Sequence, residues 1–132
     1  MTFDRQELGD MGELAAARRA AEAGYEILEK NYRFKGDAEA DLVCRLDDVL
    51  IFVEVRTTST DYLESPALSV DRRKQGQVVR AARLFMKEQR MGDYYVRFDV
   101  AAVKVNQEGE ASVDWIEDAF RPPSTATCGK MV

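Results

Sequence analysis

The sequence predicts an α/β fold in which helices flank a mixed β-sheet, and three observations carry that expectation. The periodicities run in the order helix, three strands, helix, two strands. The turn signals Gly36-Asp37 and Asp47-Asp48 join the first strands closely enough to imply antiparallel pairing. The second helix then offers a crossover into a strand parallel to a central one, which makes the sheet mixed.

The first helix is expected from about Glu7 to Ala23, where Leu8, Met11, Leu14 and Ala15 recur three and four residues apart and Gly24 follows as a stop. Tyr25 to Phe34 reads as a strand with a kink at Asn31, and Ala40 to Leu46 as a second strand. Val49 to Thr57 (VLIFVEVRT) is β-branched and almost continuously apolar, the pattern of a central strand covered on both faces. Thr58 to Val70 has no sustained period and contains Pro66, so it reads as a loop long enough to be functional. Asp71 caps a second helix that runs to about Gln89, with Val78, Val79, Ala82, Phe85 and Met86 on its core face. Gly92-Asp93 ends it. Tyr95 to Val105, a turn at Gln107 to Glu110 and a short strand at Ser112 to Ile116 complete the pattern. Residues 1–120 are expected to form one domain, and 121–132, with two prolines, a flexible tail.

Composition narrows the function. At 132 residues, with 45% hydrophobic and 33% charged, the chain suits a single globular core. No apolar run approaches the ~20 residues of a membrane span, and the acidic, polar start MTFDRQELGD predicts no secretory leader. Two cysteines, Cys44 and Cys128, have no metal-site spacing, so a reducing cytoplasm is the expected compartment. A net charge of −5 argues against indiscriminate coating of nucleic acid, though not against a local basic patch. The chain has no histidine. That removes the usual general base and zinc ligand, and leaves any chemistry to carboxylates, lysines and a hard metal ion.

Two strand acids fit that chemistry. Asp41 sits in AEADLVCRL and Glu54 in VLIFVEVRT, where burial is costly unless something neutralises the charge. If these strands pair through the Asp47-Asp48 turn, the two carboxylates stand on neighbouring strands at similar height, a plausible seat for Mg2+ or Mn2+. Spacing alone leaves a second reading open: an ion pair between Glu54 and Arg56, which share a strand face, with Asp41 exposed at an edge. Glu13 lies among the small residues Gly9, Gly12 and Ala16, where a ligand or another backbone could approach, or is simply solvated. Arg73, Arg80, Arg83 and Lys87 gather on the second helix opposite its core face, either as a phosphate-tracking surface or as a solvated one. Arg97-Phe98-Asp99 reads as architectural.

In order along the chain stand GDMGELAAARRAAEAGYEILEKNYRFKG, EADLV, FVEVR, VDRRKQ, RFDV and DAF. These segments, spread over residues 7 to 120, resemble the YraN-type family, which belongs to the restriction-endonuclease-like PD-(D/E)xK superfamily that includes archaeal Holliday-junction resolvases. The resemblance implies a three-layer restriction-endonuclease-like α/β fold and a metal-dependent nuclease-like activity that hydrolyses phosphodiester bonds in DNA or branched nucleic acid. It further implies Asp41 and Glu54 as ligands of Mg2+ or Mn2+, Glu13 as an accessory carboxylate, and Lys74 and Gln75 as a pair facing the same cleft.

Two features depart from the superfamily pattern. Arg56 occupies the place of the signature lysine, which keeps the charge but cannot lose a proton. Asp37-Ala38 also separates Gly36 from Glu39, residues that the family places side by side. Two alternatives therefore stand beside the nuclease reading. One is a nucleic-acid-binding module of the same fold without catalysis, using Arg73, Lys74, Gln75, Arg80 and Arg83. The other is a non-enzymatic scaffold or dimerisation protein. Junction-resolving relatives work as dimers, so a homodimer belongs among the expectations; a membrane partner does not.

Overall fold

The computed structural model describes residues 3–59, 70–122 and 130–132. Helix α1 spans Arg5–Glu22, followed by strands β1 (Glu26–Phe34), β2 (Ala38–Leu46) and β3 (Val49–Ser59), helix α2 (Arg72–Glu88), and strands β4 (Tyr95–Val105), β5 (Ala111–Ile116) and β6 (Lys130–Met131). Helix α1 starts two residues before the expected Glu7 because Asp4 forms a capping box. Its side chain accepts from the Glu7 amide at 2.8 Å, while the Glu7 carboxylate accepts from the Asp4 amide at 3.1 Å. Asp71 caps α2 as expected, accepting from the Lys74 amide at 2.9 Å.

The strands lie in the order β1-β2-β3-β4-β5, with β6 beside the start of β4. Both hairpins are antiparallel, and β3 runs parallel to β4 from Val49–Tyr95 to Ser59–Val105. The helices cover opposite faces, giving three layers. Under α2 lie Phe52, Phe98, Leu50 and Val96 with Val78, Ala82 and Phe85. Under α1 lie Leu42, Ile51, Val53 and Ala101 with Ala16, Ala17 and Ala20. From Leu50 to Glu54 every residue of β3 is buried, as a strand covered on both faces requires.

The alternation of β2 slips once. Ala38 and Ala40 face α2, yet Leu42 and Cys44, of the same parity, face α1. Asp41 occupies the slip, and opposite it on β1 stands Asn31, the expected kink, in the left-handed region at φ 51°. There the β2–β3 ladder also ends, at Leu42–Val53, although both strands continue.

Two expectations change. Thr58 and Ser59 extend β3 rather than opening the loop, and the rest of that loop, residues 60–69, lies outside the described residues. The tail expected to be loose returns at its end as β6, pairing Lys130 with Tyr95 and Met131 with Val96, while 123–129 lies outside the described residues. Among the described residues no helix is long and apolar enough to cross a membrane.

Candidate functional site

The site forms where β2 and β3 part. Continuing the Leu42–Val53 register sets Asp41 directly across from Glu54. Asp41 Oδ2 accepts a 2.7 Å hydrogen bond from the Val55 amide, doing there what the departing β2 backbone no longer does. Glu54 is 2% exposed. Its Oε1 lies 3.9 Å from Lys74 Nζ on the first turn of α2 and 3.8 Å from Arg56 Nη1, while its buried Oε2 has no hydrogen-bond partner among the described residues. Glu39, two residues before Asp41, accepts from Lys74 Nζ at 2.6 Å and lies 3.8 Å from Arg33 Nε.

These distances set the electrostatics. Burial, then the Asp41 charge, push the Glu54 carboxyl up to about 8, against the opposing pull of Lys74 and Arg56. Burial also raises Asp41, offset by the Val55 amide and Lys74 and reinforced by the charges of Glu13 and Glu39. The Lys74 hydrogen bond holds Glu39 below the usual carboxylate range. Burial works against the Lys74 ammonium, but the bond to Glu39 and the charges of Glu54, Glu39 and Asp41 keep its pKa above the ordinary value. Two facing carboxyls that both resist ionisation are stabilised either by a shared proton or by a cation.

Residues 12–103 match the family described as "Uncharacterised protein family UPF0102". The chain is 40% identical over 121 residues to a UPF0102 protein of Moorella thermoacetica, covering 91% of this chain and 100% of that one. It is 38% identical over 112 residues to one from Syntrophus aciditrophicus (85% and 87% covered) and 39% identical over 120 residues to one from Bacteroides thetaiotaomicron (91% and 97% covered). The chain belongs to the UPF0102, or YraN-type, family.

In this UPF0102 protein the expected site residues divide into groups. Asp41, Glu54, Arg56 and Lys74 converge, and Glu13 on α1 is close enough to raise Asp41 electrostatically while its Oε2 accepts from Asn31 Nδ2 at 3.4 Å. Gln75 turns elsewhere. Its Nε2 donates to the Val70 carbonyl at 3.1 Å, and its side chain lines a groove with Arg72, Arg80 and Arg83, because one helical step of ~100° rotates it off the Lys74 face. Arg73, Arg80 and Arg83 are exposed on α2, and among the described residues none of them is ion-paired with Asp41 or Glu54. Asp99 is taken by Arg97, Trp115 and the Asp118 amide, so the Arg97-Phe98-Asp99 segment is architectural. Burial pushes the Cys44 thiol up to about 12, which makes it an inert small hydrophobe.

Glu39 was not singled out by sequence reasoning for contact with Lys74. Its spacing of two from Asp41 on one strand is the signal that could have marked it.

The donor set can be weighed against a metal ion on this geometry. Among the described residues no three Asp, Glu, His or Cys side chains group closely enough to enclose an ion on their own. Mg2+, however, is commonly held by one or two carboxylates, with water and substrate oxygens completing its shell. The unpartnered Glu54 Oε2 beside Asp41 supplies hard oxygen of that kind. The residues fit such an ion.

Proposed function

We propose that this UPF0102 protein is a divalent-ion-dependent phosphodiester hydrolase acting on DNA or structured nucleic acid. The observation that carries the reading is the buried Glu54 Oε2, without a hydrogen-bond partner among the described residues, beside Asp41 and on a carboxylate whose Oε1 lies within 4 Å of Lys74 and Arg56. Asp41 and Glu54 would hold Mg2+ or Mn2+. When bound, such an ion lowers the pKa of a coordinated water and offsets negative charge on the phosphate.

The chain's own residues supply the rest. The Val55 amide fixes the Asp41 carboxylate, so the paired acids meet an ion without rearranging. Glu39 orients the Lys74 ammonium toward the cleft, where it attracts phosphate oxygens and the charge that builds on them in the transition state. Lys74 thereby brings to Glu54 the ammonium that the E-V-R segment of β3 lacks. Arg56 contributes a permanent cation that can bind phosphate but cannot take a proton from water.

A second reading has an observation of its own. Glu54 Oε1 lies within 4 Å of two cations and one oxygen of Asp41 is already spent on Val55, which suits a non-catalytic nucleic-acid-binding module on the same framework.

Calorimetric titration with Mn2+ and Mg2+, followed by incubation with supercoiled, single-stranded and four-way-junction DNA, separates the two. Hydrolase function requires ion binding that Asp41→Asn abolishes, together with ion-dependent cleavage that is lost in the same variant. Absence of ion binding, or binding indifferent to Asp41→Asn, overturns it. Ion binding without cleavage of any substrate favours the silent module.

A further inference from the structure

A second charged surface lies outside the acid cleft. On α2, positions 72, 76, 80, 83 and 87 fall within an arc of about 80° at ~100° per residue, so Arg72, Arg80, Arg83 and Lys87 form one stripe broken only by Gly76. All four cations are exposed. Among the described residues, none of Arg72, Arg80, Arg83 or Lys87 forms a salt bridge, in a chain whose net charge is −5.

The stripe borders two adjoining hollows. The larger, about 580 Å3, has Gly76 and Val79 in its lining and reaches Arg121 and Pro122 after β5. The smaller, about 320 Å3, shares Arg80 and Arg83 with it and runs to Phe34 and Lys35 at the β1–β2 turn. Arg80 is held between them. Its Nε donates to the Asp37 carbonyl at 3.0 Å, and its Nη1 lies 3.3 Å from the point a Cβ on Gly76 would occupy. A guanidinium fixed in this way loses less freedom on binding a phosphate. Among the described residues, two acids adjoin the surface. Asp118 is already bonded to Arg121, and Asp37 lines the smaller hollow.

We infer that this stripe binds the backbone of a single-stranded nucleic acid, with phosphates on Arg72, Arg80 and Arg83 and a base against Phe34. Phe34 is 38% exposed, large for an aromatic ring on a strand, and Lys35 Nζ lies 5.8 Å from its centroid. Cations interleaved with an exposed ring along a hollow are the combination that grips a strand without reading sequence. A duplex keeps its bases stacked inside and would leave the ring unused. The inference rests on nucleic acid being the ligand, as in the proposed function, but not on the acid pair.

Fluorescence anisotropy with a labelled oligo-dT in EDTA tests it without any ion. Wild type is expected to bind more tightly to oligo-dT than to a duplex of equal length. Arg72→Ala/Arg83→Ala should weaken binding at least tenfold and flatten the log–log salt slope by about 1.4, near 0.7 per lost single-strand phosphate contact. Phe34→Ala should weaken binding without changing that slope. Circular dichroism melts establish that each variant is folded. No binding by wild type, an unchanged slope in the double arginine variant, or equal preference for duplex overturns the inference. Failure here leaves the ion titration of Asp41 intact, and failure of that titration leaves this binding intact, so the two readings stand or fall separately.

Discussion

Asp41, one residue beyond the last β2–β3 ladder pair, accepts a hydrogen bond from the Val55 amide, so a side chain closes the gap where two strands separate. That contact ties the architecture to the site. It satisfies a β3 amide that would otherwise lose its partner, and it presses the Asp41 carboxyl against Glu54. Removing the carboxylate therefore tests structure as well as chemistry. Asp41→Ala is expected to cost about 1–3 kcal/mol in denaturant unfolding, the penalty for stranding a buried donor. Asp41→Asn retains an acceptor and relieves the repulsion with Glu54, so it should unfold close to wild type while losing the ion. Equal destabilisation by both variants would contradict this account.

Glu54 makes the ion-free fold sensitive to alkali. Its carboxyl is raised from 4.5 to about 8 in the fold, so the folded chain holds that proton more tightly than the unfolded chain does. Its contribution to stability is complete below pH 4.5 and is lost as pH rises through 8. At ~1.4 kcal/mol per pKa unit the loss reaches a few kcal/mol. Raised Asp41 acts in the same direction. In EDTA, wild type should lose stability relative to Glu54→Gln between pH 5 and 8, and Mg2+ should restore wild type alone. Parallel pH profiles for the two proteins would remove the basis for the raised carboxyl.

Helix α1 reaches the sheet through a residue with no side chain. A Cβ on Gly12 would collide with Thr57 Oγ1 and fall 2.8 Å from Thr57 Cβ. Gly12→Ala must therefore displace α1 or β3, at a cost of about 1–3 kcal/mol or more despite the better helix propensity of alanine. Thr57→Ala removes only the outer atoms and should rescue it in part. An unaltered melting temperature in Gly12→Ala would mean that α1 does not sit this close.

What could be read from the sequence was local. The Asp71 cap, the apolar run of β3 and the span Tyr95 to Val105 depend on neighbours within a few residues, and the structure reproduces them. The Asp41–Glu54 encounter was also legible, since a two-residue turn sets the register between their strands. The Asp41 bond to Val55 was not, because it follows from a slip in β2 that strict alternation would deny. Nor was the grip of Glu39 on Lys74, which joins residues 35 apart in sequence. Gln75 points away from Lys74, because adjacent helical residues diverge by ~100°, and it lines a groove with Arg80 and Arg83 instead.

Asp99 carries the largest structural risk outside the cleft. It is fully buried and accepts from Arg97 Nε at 2.9 Å, Arg97 Nη2 at 2.8 Å, Trp115 Nε1 at 2.8 Å and the Asp118 amide at 3.0 Å. Asp99→Ala strands the Arg97 guanidinium, whose remaining acidic neighbour among the described residues is the exposed Glu117 at 3.8 Å. The expected loss is about 3–5 kcal/mol, as for other broken buried pairs. Asp99→Asn, which keeps acceptor oxygen but not charge, should lose less. Where either variant still folds, ion affinity should match wild type; a changed affinity would bring Asp99 into the metal site.

Lys74 and Arg56 are both cations beside Glu54, yet opposite outcomes are expected from changing them. Lys74→Ala removes a positive charge 3.9 Å from Glu54, so divalent-ion affinity should rise, by roughly tenfold for a partly buried charge at this range. Any hydrolysis should fall in the same variant, because the ammonium that meets the phosphate is gone. Arg56→Lys keeps its charge, so ion affinity should barely move, while hydrolysis should increase if arginine limits the reaction. Calorimetry and cleavage on the two variants therefore give a crossed pattern. An ion affinity that falls in Lys74→Ala would mean that Lys74 supports the acids structurally, by holding Glu39, and that its charge is not what the cleft uses.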